Sequence, residues 1–445
     1  MSFDYDLLVV GAGSAGLSAA KMAAQLGAKV AIADPGPLGG TCVNRGCIPK
    51  KFMVYAADFV RQQQQAKHYG WKNIKAEFEW PTLRTAIQDE LKQLQQSYAK
   101  TLESAGVTVL PYQARFVDEH CLNLGDCTVT ADKVIVAVGA KPVLPDLPGV
   151  EYGLTSRDIF HLEALPQRLV IVGGGYIGAE FGNIFNVLGC QVSLVEKHPL
   201  VLEGFDQTLR ERVHQSLIDQ GIHLMAETSL TSIENQGQAK KVCLSGQHSE
   251  SITADTVLLA LGRKPDLSSL ELDKAGVAVE HGAIAVDAYS RTSQPSILAV
   301  GDCTNRKPLT PVAKAEGSAA AKTLFGPSPV QVSYRWVPSA VFCSPEVASI
   351  GWSEDEAQQQ GVKVEVRCHS FVPLHYRLTP HQPEALIKLV VAEESQAILG
   401  VHMVGDSSPE ILQGLIPALK RGLTLPELTE VIAIHPTSGE EVYDF

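Results

Sequence analysis

The sequence predicts an α/β protein: two doubly wound, parallel-sheet units and a separate α+β domain at the C-terminal end. Three observations lead to this reading. A strand, glycine turn, helix and strand open the chain. The same pattern returns later with its landmarks in register, and from about Tyr334 the texture changes to alternating strands followed by helices.

The first pattern, DYDLLVVGAGSAGLSAAKMAAQLGAKVAIAD from Asp4 to Asp34, is a βαβ unit whose second strand ends in an acid. Its copy, QRLVIVGGGYIGAEFGNIFNVLGCQVSLVE from Gln167 to Glu196, displaces every landmark by 162 positions. Gly11 maps to Gly173, Gly13 to Gly175, Gly16 to Gly178, Gly27 to Gly189 and Asp34 to Glu196. The first glycine permits the tight turn, the second lets the backbone approach a pyrophosphate, and the third lets helix pack on strand. Free N–H groups and the dipole at the helix N-terminus then hold the phosphates. An acid 23 residues beyond the first glycine is placed to accept hydrogen bonds from a ribose. Two Rossmann-like dinucleotide-binding domains are therefore expected.

Between and after these units the remaining elements follow in order. Residues 51 to 105 read as mostly helical, with RQQQQAKHYG as a polar surface stretch. KVIVAVGAKPVLPDLPG is a buried strand followed by a proline-rich linker, and ILAVGDC is a buried strand ending at a Gly-Asp turn. TPVAKAEGSAAAKTLFG is the helix after it, and IKLVVAEESQAILGVHMVG supplies the strands of the last domain. The expected domain spans are 1–140, 141–265, 266–335 (a return to the first domain) and 336–445.

Composition sets the wider bounds. A chain of 445 residues, 45% apolar and 19% charged, has room for several cores. With 37 basic and 49 acidic side chains, its formal charge of -12 disfavours nucleic acid and anionic lipid as partners. The N-terminus MSFDYDLLVVGAG lacks the bases of a signal peptide, and no uninterrupted apolar run is long enough to span a membrane. Nine scattered cysteines do not suggest a secreted disulfide framework, so a cytoplasmic protein is expected.

The segment GGTCVNRGCIPKK, Gly39 to Lys51, admits three readings of Cys42 and Cys47. As zinc ligands they lack a second Cys or His cluster, so no metal is expected. As inert thiols they would be buried. As a redox disulfide they need a bent segment, because residues five apart in a regular helix lie roughly 8.6 Å apart at Cα, beyond disulfide reach. Gly39, Gly40 and Gly46 supply the freedom to bend. Lys50, Lys51 and a helix starting after Pro49 would favour thiolate.

GAGSAG, GGTCVNRGCIPKK, GGGYIGAE, ALGRKPD, AVGDCTNRKPLTPVA and AIHPTSGEE together resemble the pyridine nucleotide-disulfide oxidoreductases, in particular their glutathione reductase branch. The resemblance runs from about residue 4 to the C-terminus. It implies FAD in the first unit, a nicotinamide cofactor in the second, a small-molecule disulfide as substrate, and a homodimer built through the C-terminal domain. Cys47 would be the sulfur against the flavin and Cys42 the exposed one that attacks the substrate. Thr41 and Lys50 would contact FAD, with Lys50 paired to Glu180. Tyr176 would lie over the flavin where the nicotinamide enters. Asp302 and Thr310 would hold the ribityl chain and the pyrimidine edge, and Arg263 would lie beside the nicotinamide nucleotide. Ser14, Ala15, Ala114, Ile177 and Gly262 complete the cofactor-binding set. His435, oriented by Glu440, would come from the partner subunit as acid-base catalyst.

The same resemblance implies Ser14, Lys21 and Tyr98 as substrate-binding residues. Lys21 and Ser318 stand where glutathione reductases carry arginines. Those that use NADPH also carry two arginines just beyond the second nucleotide strand, where this chain has Lys197 and Glu203. With Glu196 at the strand end, NADH is the expected reductant and NADPH the alternative. A dihydrolipoamide dehydrogenase-like enzyme and a non-catalytic flavin redox sensor are the rival functions. The cysteine pair of mercuric reductase and the redox tail of high-molecular-weight thioredoxin reductase have no counterpart in the VYDF terminus.

Overall fold

The computed structural model describes residues 3–74 and 76–445, which form two compact units. The first comprises Met1–Phe52, Thr82–Val143 and Gly262–Tyr334. Its sheet runs in the order Thr108–Leu110, Val30–Ala33, Tyr5–Val10, Thr128–Val136, with every pair parallel, and Ile297–Ala299 also lies parallel to Thr128–Val136. These short apolar runs are covered on both faces, as a parallel sheet requires. Cys121–Asn123 and Arg115–Phe116 extend the sheet antiparallel and bring Phe116 and Leu122 into the core of one face.

Helix Ser14–Gln25 covers the other face with Ala15, Ala19, Ala20 and Ala23, against Ala313, Ala320 and Ala321 of helix Thr310–Phe325. Small side chains let these two helices lie close. The third glycine of the turn is equally constrained, because a Cβ at Gly16 would sit 1.8 Å from the carbonyl oxygen of Gly11.

The second unit comprises Met53–Pro81, Leu144–Leu261 and Arg335–Phe445. It repeats the parallel arrangement in the order His223–Met225, Gln191–Val195, Arg168–Val172, Thr256–Leu259, Leu154–Thr155. A Cβ at Gly178 would meet the Gly173 oxygen at the same 1.8 Å. An antiparallel sheet of Thr228–Gln236, Ala239–Gly246 and Ile252–Ala254 lies beside it.

After residue 335 a five-stranded antiparallel sheet forms in the order Ser339–Val341, Val347–Gly351, Ile398–Val404, Ala385–Ala392, Val364–Phe371. Every residue of Ala385–Ala392 is buried, including Lys388. Leu412, Leu419, Leu425 and Leu428 from the short terminal helices, and Leu415 from the turn between two of them, pack into the core of this sheet. Residues 51 to 105 are helical through Cys47–Ala66 and Trp80–Ser104. Among the described residues no helix is long and apolar enough to cross a membrane.

Candidate active site

In the first unit the glycine turn and the cysteine segment touch. Gly39 and Gly40 take φ of 102° and 60°, and a Cβ at Gly40 would lie 2.6 Å from the Cα of Gly13. Only glycine lets the segment approach so closely while holding a left-handed backbone. Helix Gly40–Arg45 carries Thr41 and Cys42; Gly46 breaks it, and helix Cys47–Ala66 begins at once. The break makes the bend that brings the two thiols into hydrogen-bonding contact. Thr310, at the start of helix Thr310–Phe325, bonds Cys42 and places its Oγ1 3.7 Å from the Cys47 sulfur.

Three details differ from the sequence expectations. The helix starts at Cys47 rather than after Pro49, because the sharp turn at Gly46 already frees the chain to begin it. Cys47 is the exposed thiol and Cys42 the half-buried one. The Cys42 thiol is also held far above the usual range, first by its hydrogen bond to Cys47, then by burial and by the charge of Cys47 itself. Thr310 and Lys314 pull it the other way without prevailing. Lys314 supplies thiolate-favouring charge at Cys42.

Asp302 sits in the turn Gly301–Thr304. Burial, joined by the charge of Glu316, raises its pKa although Arg263 opposes the shift. The Arg263 Nη2 lies 3.9 Å from Asp302 and donates to the Ala140 carbonyl at 2.6 Å. Glu316, which the sequence reading missed, is buried beneath this turn. It accepts from the Gly301 N–H at 2.6 Å and from the Tyr334 hydroxyl at 2.6 Å, and Arg306 pairs with it at 3.2 Å. The acid in TPVAKAE was its sole sequence signal, since Arg306 and Tyr334 are joined to it only by the fold. Ala114 is buried in the sheet core, Lys50 is buried, Lys21 is exposed and Tyr98 is half-buried.

The two strand-end acids are held alike. Asp34 accepts from the N–H groups of Ala12 at 2.6 Å and Gly36 at 2.7 Å. Glu196, in the second unit, accepts from Gly174 at 2.6 Å and His198 at 2.8 Å. Lys197 is exposed, and the His198 Nε2 lies 3.0 Å from Glu203 without the alignment of a hydrogen bond. Tyr176 opens helix Tyr176–Val187, with Ile177 behind it; Glu180, buried on that helix, accepts from the Phe342 N–H at 2.9 Å. Gly262 and Arg263 belong to the first unit rather than to the unit with this second turn.

His435 and Glu440 also meet. The ring Nδ1 is 2.9 Å from one carboxylate oxygen, and the Thr437 N–H donates to the other at 2.9 Å. That backbone bond, with the histidine, lowers the Glu440 pKa and keeps the carboxylate charged. His435 is exposed, as are Ile432 and Ile434 beside it.

The nucleotide turns fit dinucleotides. Neither helix Ser14–Gln25 nor Tyr176–Val187 has a side-chain cap or an acid in its first turn, so both N-termini leave donors for phosphate. Among the described residues, no group of three or more His, Cys, Asp or Glu side chains is gathered for a metal ion.

Residues 5–317 match the pyridine nucleotide-disulphide oxidoreductases, and residues 337–444 match the dimerisation domain of the same family. The chain belongs to that family and is a flavoprotein disulfide reductase that works with FAD and NAD(P)H. More particularly, it is similar to glutathione reductases. It is 42% identical to that of Nostoc sp. over 99% of both chains, and 39% identical to that of Burkholderia cepacia over 99% of this chain and 98% of the other. The chloroplastic/mitochondrial glutathione reductase of Pisum sativum is 37% identical, over 99% of this chain and 82% of its own.

Proposed function

We propose that this chain is a cytoplasmic homodimer that reduces oxidised glutathione, or a closely related small disulfide, with NADH as its preferred reductant. The observation that carries the reading is the contact of Cys42, Cys47 and Thr310 directly behind the Gly13–Gly40 approach. The cysteine pair thereby lies against the turn suited to one dinucleotide. Bound FAD and NAD(P)H supply the two electrons that convert the Cys42–Cys47 disulfide to the dithiol.

The residues do the rest. Cys42 gives its proton to His435 of the partner subunit and attacks one sulfur of the substrate; the substrate S–S bond breaks and a Cys42 mixed disulfide forms. His435 of the partner subunit, held at Nδ1 by Glu440, gives its Nε2 proton to the departing thiolate, which leaves as the first thiol. The Cys47 thiolate then attacks the Cys42 sulfur, restores the intramolecular disulfide and releases the second thiol after protonation. Exposed Ile432 and Ile434 support a covering partner at this surface. Lys21 offers a charge for a substrate carboxylate, though as a point charge rather than a fork.

The NADH reading is supported by the Glu196 carboxylate at the ribose position and by Glu203 beside His198, which sets an acid against a side chain that could otherwise donate to a 2′-phosphate. An initial-rate assay crossing NADH and NADPH with oxidised glutathione and lipoamide tests the proposal. Highest kcat/KM for NADH with oxidised glutathione supports it, whereas highest activity with lipoamide, or none with either disulfide, rejects it.

A further inference from the structure

Helix Thr310–Phe325 turns one face to the cysteines, because Thr310 bonds Cys42 and lies 3.7 Å from the Cys47 sulfur. Residues four apart share a helix face. Lys314 therefore stands one turn beyond Thr310 on the side of the reactive pair, and it is exposed. Its backbone is fixed, since the Ser18 hydroxyl donates to the Lys314 carbonyl at 2.8 Å and ties the helix to the one bearing Ser14 and Lys21. One turn further the same face carries Ser318, which brings no charge.

We propose that Lys314 is a substrate-binding residue whose ammonium holds a carboxylate of the incoming disulfide beside Cys42. This rests on the disulfide-reductase reading given above and names the group that selects acidic over neutral disulfides. An ammonium on an exposed helix face can point at a carboxylate without the desolvation cost of burial. The same charge already acts on the Cys42 thiol, where it opposes proton retention. Lys21 lies on the adjoining helix, so the two lysines can receive different acidic groups of one disulfide.

The test compares reduced holoenzyme of the wild type with Lys314→Met, Lys314→Arg and a control, Lys322→Met, about 12 Å further along the helix. The first readout needs no substrate: the rate of Cys42 alkylation by anionic iodoacetate relative to neutral iodoacetamide. The ratio should fall about three- to fivefold in Lys314→Met, remain in Lys314→Arg and Lys322→Met, and collapse in wild type at high salt. The second is kcat/KM for oxidised glutathione relative to bis(2-hydroxyethyl) disulfide, which should fall by a similar factor in Lys314→Met alone. An unchanged alkylation ratio in Lys314→Met overturns the proposal, as does an equal loss on both disulfides. If wild type does not reduce oxidised glutathione while the alkylation ratio still responds, the substrate reading fails and the cation beside Cys42 stands.

Discussion

Glu196 has two of its acceptor positions taken by backbone N–H groups, as Asp34 has in the first unit, so each carboxylate is fixed at its strand end. The remaining lone pairs of Glu196 can accept from ribose hydroxyls, and a 2′-phosphate there would meet a like charge. Close charges in partly screened surroundings are worth a few kcal/mol at most, so NADH should lead NADPH by about tenfold to hundredfold in kcat/KM. Glu196→Ala should shrink that ratio. A wild-type ratio below one would refute the preference, and a ratio untouched by the substitution would remove Glu196 as its cause. Both acids were legible in the sequence because the offset from the glycine turn is local. The approach of Glu203 to His198 was not, because a bent loop brings them together.

Among the elements, the third glycine of each nucleotide turn could be read from its own βαβ unit, since Gly16 and Gly178 answer the carbonyls of Gly11 and Gly173, whereas Gly11 and Gly173 also face Ala137 and Ala260 from distant strands. What the sequence hid are ties between distant segments, and strand Ala385–Ala392 shows one. Its Lys388 is buried and bonds Asp206, the N-cap of helix Gln207–Asp219, at 2.9 Å and Glu354 at 3.0 Å. Burial pushes the Asp206 carboxyl up, but Lys388 and then His402 bring it below the usual range. A depressed carboxyl contributes stability that is present above its unfolded pKa and lost as pH falls through the folded one. Removing the lysine should leave Asp206 buried and unpaired at a cost of about 3–5 kcal/mol. Lys388→Met is thus expected to lower Tm near neutral pH, by an amount that shrinks as pH falls through the Asp206 titration. Melting curves from neutral into the acid range check both, and a Tm deficit that stays undiminished in acid would count against the pairing. A lone lysine in IKLVV gave no hint of this, because an alternating strand can equally place it in solvent.

For the whole molecule, the central claim is that one chain supplies Cys42 and Cys47 and its partner supplies His435. The cysteine spacing and the terminal IHPTSGEE segment could be read from sequence, as could the family of which they are part. The approach of Thr310 to both thiols could not, because it depends on a helix far along the chain. An isologous two-fold dimer makes the claim testable by exchange of subunits. Cys42→Ser and His435→Ala homodimers should each be nearly inactive. In a heterodimer, one site combines intact Cys42 with intact His435 and the other lacks both. After equal mixing with complete exchange, half the dimers are hybrids with one working site in two, so activity should recover to about a quarter of wild type. No recovery, with exchange demonstrated by mass, would contradict the account by placing the histidine in the same chain as the cysteines it serves or outside the site altogether.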